Sequence, residues 1–117
     1  MPGGVGIDLI EISRLERALE RRPRLAERLF TRGELETAHA RRRPGRHLAA
    51  RFAAKEAVVK ALGVDGVAVT EIEIVGGGSR APEVVLRGKA LEAAAGRQVE
   101  ISMSHSEASA TAVALLR

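Results

Sequence analysis

The sequence predicts an α+β fold in which an antiparallel sheet packs with a long helix. Three observations lead there: helical spacing fills the first half of the chain, period-two apolar alternation fills the second, and glycine-rich breaks separate the segments. The 117 residues suit a single domain spanning 1–117. Apolar residues make up 45% but aromatic ones only 2%, so the core is built from Val, Leu, Ile and Ala, with Phe30 and Phe52 the sole aromatics. A charged fraction of 29% argues for a folded chain rather than a disordered one. The absence of cysteine excludes disulfides, thiolate catalysis and cysteine zinc sites. No apolar run reaches the ~18 residues of a membrane span. The N-terminus lacks the basic-then-apolar pattern of a secretory signal, so a cytoplasmic location is expected.

The elements follow in order. Residues 3–10 read as a strand, with Val5, Ile7 and Leu9 on one face and Gly4, Gly6 and Asp8 on the other. Ser13 and Glu16 have capping-box spacing and open a helix to about Arg22, where Pro23 interrupts. A short helix is expected around 24–30. Thr31 and Glu34 form a second capping box, opening a helix to about Arg42. Pro44-Gly45 reads as a turn, Leu48–Leu62 as a strong helix, and Gly63 as its stop. Val67–Val75 is a β-branched strand, Gly76-Gly77-Gly78 a hairpin turn, and Glu83–Leu86 a second strand. Ala90–Ala95 is a short helix ended by Gly96. Val99–Ser104 and Ala110–Leu116 then complete an antiparallel pair.

Charge is unevenly divided. Residues 1–62 hold fourteen Arg and Lys against eight acids, whereas residues 63–117 hold five against seven. The basic half calls for an anionic partner: nucleic acid, an acidic protein or a phosphorylated small molecule. Sixteen of the nineteen basic residues are Arg, which favours phosphate and carboxylate recognition; a GC-rich coding bias explains it equally well.

Chemistry concentrates in three segments. In the helix 48–62, Leu48, Phe52, Val58, Val59 and Leu62 form a bulky arc, and the opposite side is alanine. Arg51, Lys55, Glu56 and Lys60 fall within that arc or on its margins, so they face a partner or a cleft rather than open solvent. Glu56 and Lys60 are spaced as an i, i+4 pair, and a plain surface ion pair is the competing reading. Asp8 sits on the small face of an apolar strand, where an unpaired carboxylate is costly. Alone it reads as an acid at a strand end; with Glu56 it suggests a hard-cation site completed by water and phosphate oxygens. His105 closes Ser102-Met103-Ser104-His105 at a strand end, suited equally to solvent and to a ligand. No serine-hydrolase elbow, P-loop or base-stacking pattern is present.

GVGIDLIEISRLE at 4–16, LFTRGELE at 29–36, RFAAKEAVVKALG at 51–63 and ISMSHSEASATAVAL at 101–115 together resemble the holo-acyl-carrier-protein synthases, the short 4′-phosphopantetheinyl transferases. Order and spacing match over nearly the whole chain. The resemblance implies a 4′-phosphopantetheinyl transferase-like domain that moves phosphopantetheine from coenzyme A to a serine hydroxyl of apo acyl carrier protein, within lipid metabolism, releasing adenosine 3′,5′-bisphosphate. It implies Mg²⁺, with Mn²⁺ equally suited to oxygen ligands, held by Asp8 and Glu56. Lys60 joins them as a catalytic phosphate contact, and Arg51, His105 and Arg46 lie near coenzyme A. A water ordered by Glu56 or the metal is the expected base. Arg14, with Arg21, Arg24 and Leu25 extending its surface, docks the acidic carrier protein. A homotrimer with sites between subunits is implied, and neither nucleic acid nor membrane is expected. The alternative from another class is a small basic RNA-binding module without catalytic activity, which accounts for the charge but not for Asp8, Glu56 or the S-x-S-H segment.

Overall fold

Strand β1 (Gly4–Glu11) runs directly into helix α1 (Ile12–Arg21), followed by α2 (Leu25–Leu29), α3 (Arg32–His39) and the long α4 (Pro44–Leu62). A 3₁₀ turn at Val69–Glu71 leads into the hairpin of β2 (Ile72–Gly77) and β3 (Arg80–Leu86). Helix α5 (Gly88–Ala94) then precedes β4 (Val99–His105) and β5 (Ser109–Leu116). This computed structural model describes residues 4–117; Gly3, at the start of the expected first strand, lies outside the described residues. The strands form an antiparallel three-stranded sheet of order β1-β5-β4 and a separate β2-β3 pair. The α+β expectation holds, and α4 packs across the three-stranded sheet. No helix among the described residues is long and apolar enough to cross a membrane.

The contact between α4 and the sheet is made by the smallest side chains. Gly4 and Gly6 pair in register with Leu116 and Ala114. A Cβ on either glycine would drive into the carbonyl oxygens of Ala61 and Ala57 on α4. Ala53, Ala54 and Ala57 are fully buried, whereas Phe52 and Val59 are only half-buried. The alanine side of the helix is therefore buried along with Leu48, Val58 and Leu62 of the bulky arc, and only Phe52 and Val59 of that arc stay partly outside. Side chains this small let helix and strand backbones close to a distance that Val or Leu forbids. Ala112, Ala114 and Leu116 of β5 join Val58, Leu62, Ile72 and Ile74 in one buried cluster. Ile12, Leu15, Phe30, Ala38 and Leu48 build a second cluster under the short helices.

Several boundaries differ from the sequence expectation, each for a local reason. Helix α1 begins at Ile12, not after Ser13, and no side chain caps it. The Ile12 amide instead donates to the Ala108 carbonyl at 2.9 Å, giving one orphan helix N–H a partner outside the helix. Pro44 and Gly45 are the first turn of α4 rather than a separate turn. Proline suits that position because its missing amide has no helical acceptor to lose. The strand expected from Val67 starts only at Ile72, because the Glu71 carboxylate accepts from the amides of Ala68 at 2.8 Å and Lys89 at 2.7 Å and holds the preceding chain in a turn. The Thr31–Glu34 capping box forms as expected, and Gly63, at φ 68°, ends α4 in the left-handed region.

The other face of β1 is uncovered. Val5, Ile7 and Leu9 are 68%, 65% and 68% exposed, and Val113 and Leu115, opposite Ile7 and Val5 on β5, extend the same apolar surface.

Candidate active site

Strand β1 carries Asp8 beneath α4, and α4 carries Glu56 and, one turn later, Lys60. The Lys60 ammonium donates to the Ile7 carbonyl at 2.8 Å and to Asp8 Oδ1 at 3.2 Å. Lys60 thus forms its ion pair with Asp8 across the helix–strand contact, and not with Glu56 as the i, i+4 spacing predicts. Burial pushes the Glu56 carboxyl above its usual range, the neighbouring Asp8 carboxylate adds to the rise, and Lys60 opposes it. The second oxygen of Asp8 is buried without a hydrogen-bond partner. Two carboxylates thus share a half-buried corner with one ammonium, and one buried acceptor is unsatisfied. A hard divalent cation suits such a corner, since it balances the charge and engages the free oxygen. No group of three or more His, Asp or Glu side chains able to hold a metal gathers among the described residues, and a cation held by two carboxylates would complete its shell with water and substrate oxygens.

Arg46, Arg51 and His105 meet elsewhere. They line a pocket of about 660 Å³ together with Arg41, His47 and Ser104. Arg51 is buried; one guanidinium nitrogen donates to the Gly76 carbonyl and another lies 3.8 Å from the Met103 sulfur. The pocket is therefore closed on one side by the glycine turn that the sequence marks only as a hairpin. Burial and the charge of Arg41 lower the Arg51 pKa, and Glu34 partly restores it. His47 is held uncharged, its pKa lowered to about 4 by burial, by Arg51 and by Arg41. Asp8, Glu56 and Lys60 do not line this pocket. Nine residues separate Arg51 from Lys60, which at about 100° per residue places them on opposite sides of α4. The expected coenzyme A group thus divides within one chain: Arg46, Arg51 and His105 share one pocket, and Lys60 stands with the carboxylates.

The third charged residue of α4, Lys55, faces neither site. It is 0% exposed, donates to the Leu29 carbonyl at 2.8 Å and forms an ion pair with buried Glu34. Burial pushes its ammonium pKa down, and Glu34 pulls it back. Glu34 in turn accepts from the amides of Thr31 and Ile74, each at 2.8 Å, so one carboxylate ties α3, α4 and β2 together. In the sequence Glu34 reads only as the capping partner of Thr31. Its tertiary role has no local signal, and neither does the convergence of Arg41 and His47.

Arg14 and Arg21 are exposed on one stripe of α1, seven residues apart. Arg24 and Leu25 line a shallow groove where α2 begins, with Arg22 and Arg28 beside them. Arg14 and Arg21 do not line that groove.

The family model described as the 4′-phosphopantetheinyl transferase superfamily matches residues 4–114. The chain belongs to that superfamily. The holo-[acyl-carrier-protein] synthase of Moorella thermoacetica is 48% identical over 116 residues, covering 95% of this chain and 91% of the relative. Among solved structures, holo-[acyl-carrier-protein] synthase from Neisseria meningitidis is similar with a TM-score of 0.86 at 32% identity, covering 100% of this chain and 99% of that one. The Helicobacter pylori synthase in complex with coenzyme A gives 0.84 at 27% identity, covering 97% and 99%. As a 4′-phosphopantetheinyl transferase the chain is an enzyme, and the non-enzymatic RNA-binding alternative falls away.

Proposed function

We propose that this enzyme transfers the 4′-phosphopantetheine group of coenzyme A to a serine hydroxyl of apo acyl carrier protein in a Mg²⁺-dependent reaction in the cytoplasm. The observation that carries the reading is the corner of Asp8, Glu56 and Lys60, in which a carboxylate oxygen is buried and unpartnered. In the reaction the serine oxygen forms a bond to the phosphorus bearing pantetheine. The bridging P–O bond breaks, adenosine 3′,5′-bisphosphate leaves, and the serine proton passes to a base. Asp8 and Glu56 would hold the cation, which supplies charge neutralisation at the diphosphate oxygens. Lys60 keeps an ammonium beside Asp8, placed to offset negative charge growing on the leaving phosphate. Glu56 orients a water that takes the serine proton. Arg46, Arg51 and His105 receive the coenzyme's remaining phosphate in their pocket, a task suited to a cluster of guanidinium groups.

Two further observations support a homotrimer with sites between subunits. The apolar face of Val5, Ile7, Leu9, Val113 and Leu115 is the kind of contiguous surface that a subunit contact covers. The carboxylate corner and the arginine pocket occupy opposite sides of α4, so one coenzyme bridges them most directly across two copies. The deciding experiment is the intact mass of apo acyl carrier protein after incubation with the enzyme, coenzyme A and Mg²⁺. A phosphopantetheine-sized increase that EDTA abolishes is expected, together with loss of turnover in Glu56→Gln. Full turnover in that variant with unchanged metal affinity sinks the assigned roles of Glu56.

A further inference from the structure

The arginine pocket contains a group that the proposed transfer does not use. His47 stands in the first turns of α4 among basic side chains: Arg46 and Arg51 on its own helix, Arg41, Arg42 and Arg43 on the segment before it, and His105 on β4. The β2–β3 turn contributes only Gly78 to the lining. No carboxylate lines the pocket; Glu107 lies beyond it, 3.4 Å from Arg43, and Glu34 acts on Arg51 while committed to Lys55. His47 Nε2 is buried and has no hydrogen-bond partner. A neutral imidazole has one donor and one acceptor nitrogen, whereas the charged ring can only donate and needs acceptors that this pocket of basic side chains does not supply.

We infer that His47 is the proton-linked residue of this pocket: a phosphate monoester bound among Arg41, Arg46 and Arg51 is taken up together with a proton on the His47 imidazole. The inference rests on the reading of the pocket as the coenzyme's phosphate site and adds a specificity-determining residue to it. Its physical basis is a reversal of two of the three causes that keep His47 neutral. Without an anion, burial, Arg51 and Arg41 all oppose protonation, holding the pKa near 4. A bound phosphate screens both guanidinium groups and brings negative charge beside the imidazole; burial continues to oppose the charge. The pKa then rises from its lowered value without regaining the ordinary one, because burial is the largest of the three causes. The sign follows from linkage: the complex holds more protons than the free enzyme between the two pKa values, so affinity gains as pH falls through that window. One proton per binding event sets the ceiling at about tenfold in affinity per pH unit.

The test is calorimetric titration of adenosine 3′,5′-bisphosphate into the full-length enzyme between about pH 7 and pH 5. Wild type is compared with His47→Phe and with His47→Gln, which keeps a polar side chain but does not titrate. The ligand's own phosphate ionisation is common to all three and cancels in the ratio of affinities. The wild-type to variant ratio is expected to grow on acidification, by at most about tenfold per pH unit and most steeply toward pH 5. Buffers of different ionisation enthalpy should show greater proton uptake by wild type than by either variant. A ratio that stays constant with pH, while Arg51→Ala still weakens binding, overturns the proton coupling alone. No binding to wild type, or equal binding by Arg51→Ala, overturns the phosphate reading of the pocket and this inference with it.

Discussion

Glu56 shows most plainly the tension between stability and function at the residue scale. Burial and the Asp8 carboxylate raise its pKa, so the protonated form is favoured in the folded chain and the ionised form is disfavoured. By linkage the folded state is helped below the unfolded-chain pKa and loses that help as pH rises through the raised value. Near neutral pH an ionised Glu56 is therefore a stability cost carried for the site. Glu56→Gln removes the charge and keeps the shape. The expected outcome at about pH 7.5 is a Tm higher by about 2 °C in metal-free buffer, with turnover lost. A lower Tm in differential scanning calorimetry contradicts this account. Lys55, its neighbour in sequence, has the opposite character. Buried against Glu34, it organises the chain around the site, and nothing places it in the chemistry.

Two elements, β1 and α4, are defined by the distance at which they pack. Gly6 leaves no room for a Cβ because the Ala57 carbonyl and the Ala61 amide of α4 stand there, and backbone does not swing aside as a side chain does. Gly6→Ala should therefore separate helix from strand and cost about 1–3 kcal/mol in urea unfolding, the usual range for overpacking. The same displacement parts Asp8 from Lys60, whose bond to Asp8 is already 3.2 Å long, so activity should fall even in the folded fraction. Undiminished stability in Gly6→Ala removes close packing as the reason for the small face. Size is also why the bulky arc marks only part of the buried surface of α4: Leu48, Val58 and Leu62 are buried, but so is the alanine row. Amphipathic reasoning equates bulk with core, but here a sheet surface of glycine and alanine demands alanine opposite it.

For the whole molecule, two surfaces bear the remaining predictions. Ile7 is 65% exposed at the centre of an apolar sheet face. Ile7→Asp is expected to convert the proposed trimer to monomers in sedimentation velocity and to abolish turnover while leaving the circular dichroism of the monomer native-like. A trimer that persists refutes this face as the contact. The basic surface of α1 and α2 makes a kinetic prediction instead. Reversing the charge with Arg14→Glu should raise KM for acyl carrier protein by about tenfold and leave KM for coenzyme A nearly unchanged, since steering acts on the charged macromolecule. An equal rise in both breaks the docking assignment.

Local chemistry was legible in the chain: the α+β class, the Thr31–Glu34 cap, the Gly63 stop, the strand alternation, and the membership of the superfamily whose model spans residues 4–114. Each depends on residues a few positions apart, so periodicity and capping rules reach it. The start of α1, the pairing of Lys60 with Asp8, the burial of Lys55 on Glu34, and the gathering of Arg41, His47 and Arg51 were decided only in three dimensions. The first three join residues tens of positions apart, and the pocket of Arg41, His47 and Arg51 is completed by Gly78 and His105 from far along the chain. Which contact prevails depends on where the sheet brings the other partner, and that is a property of packing.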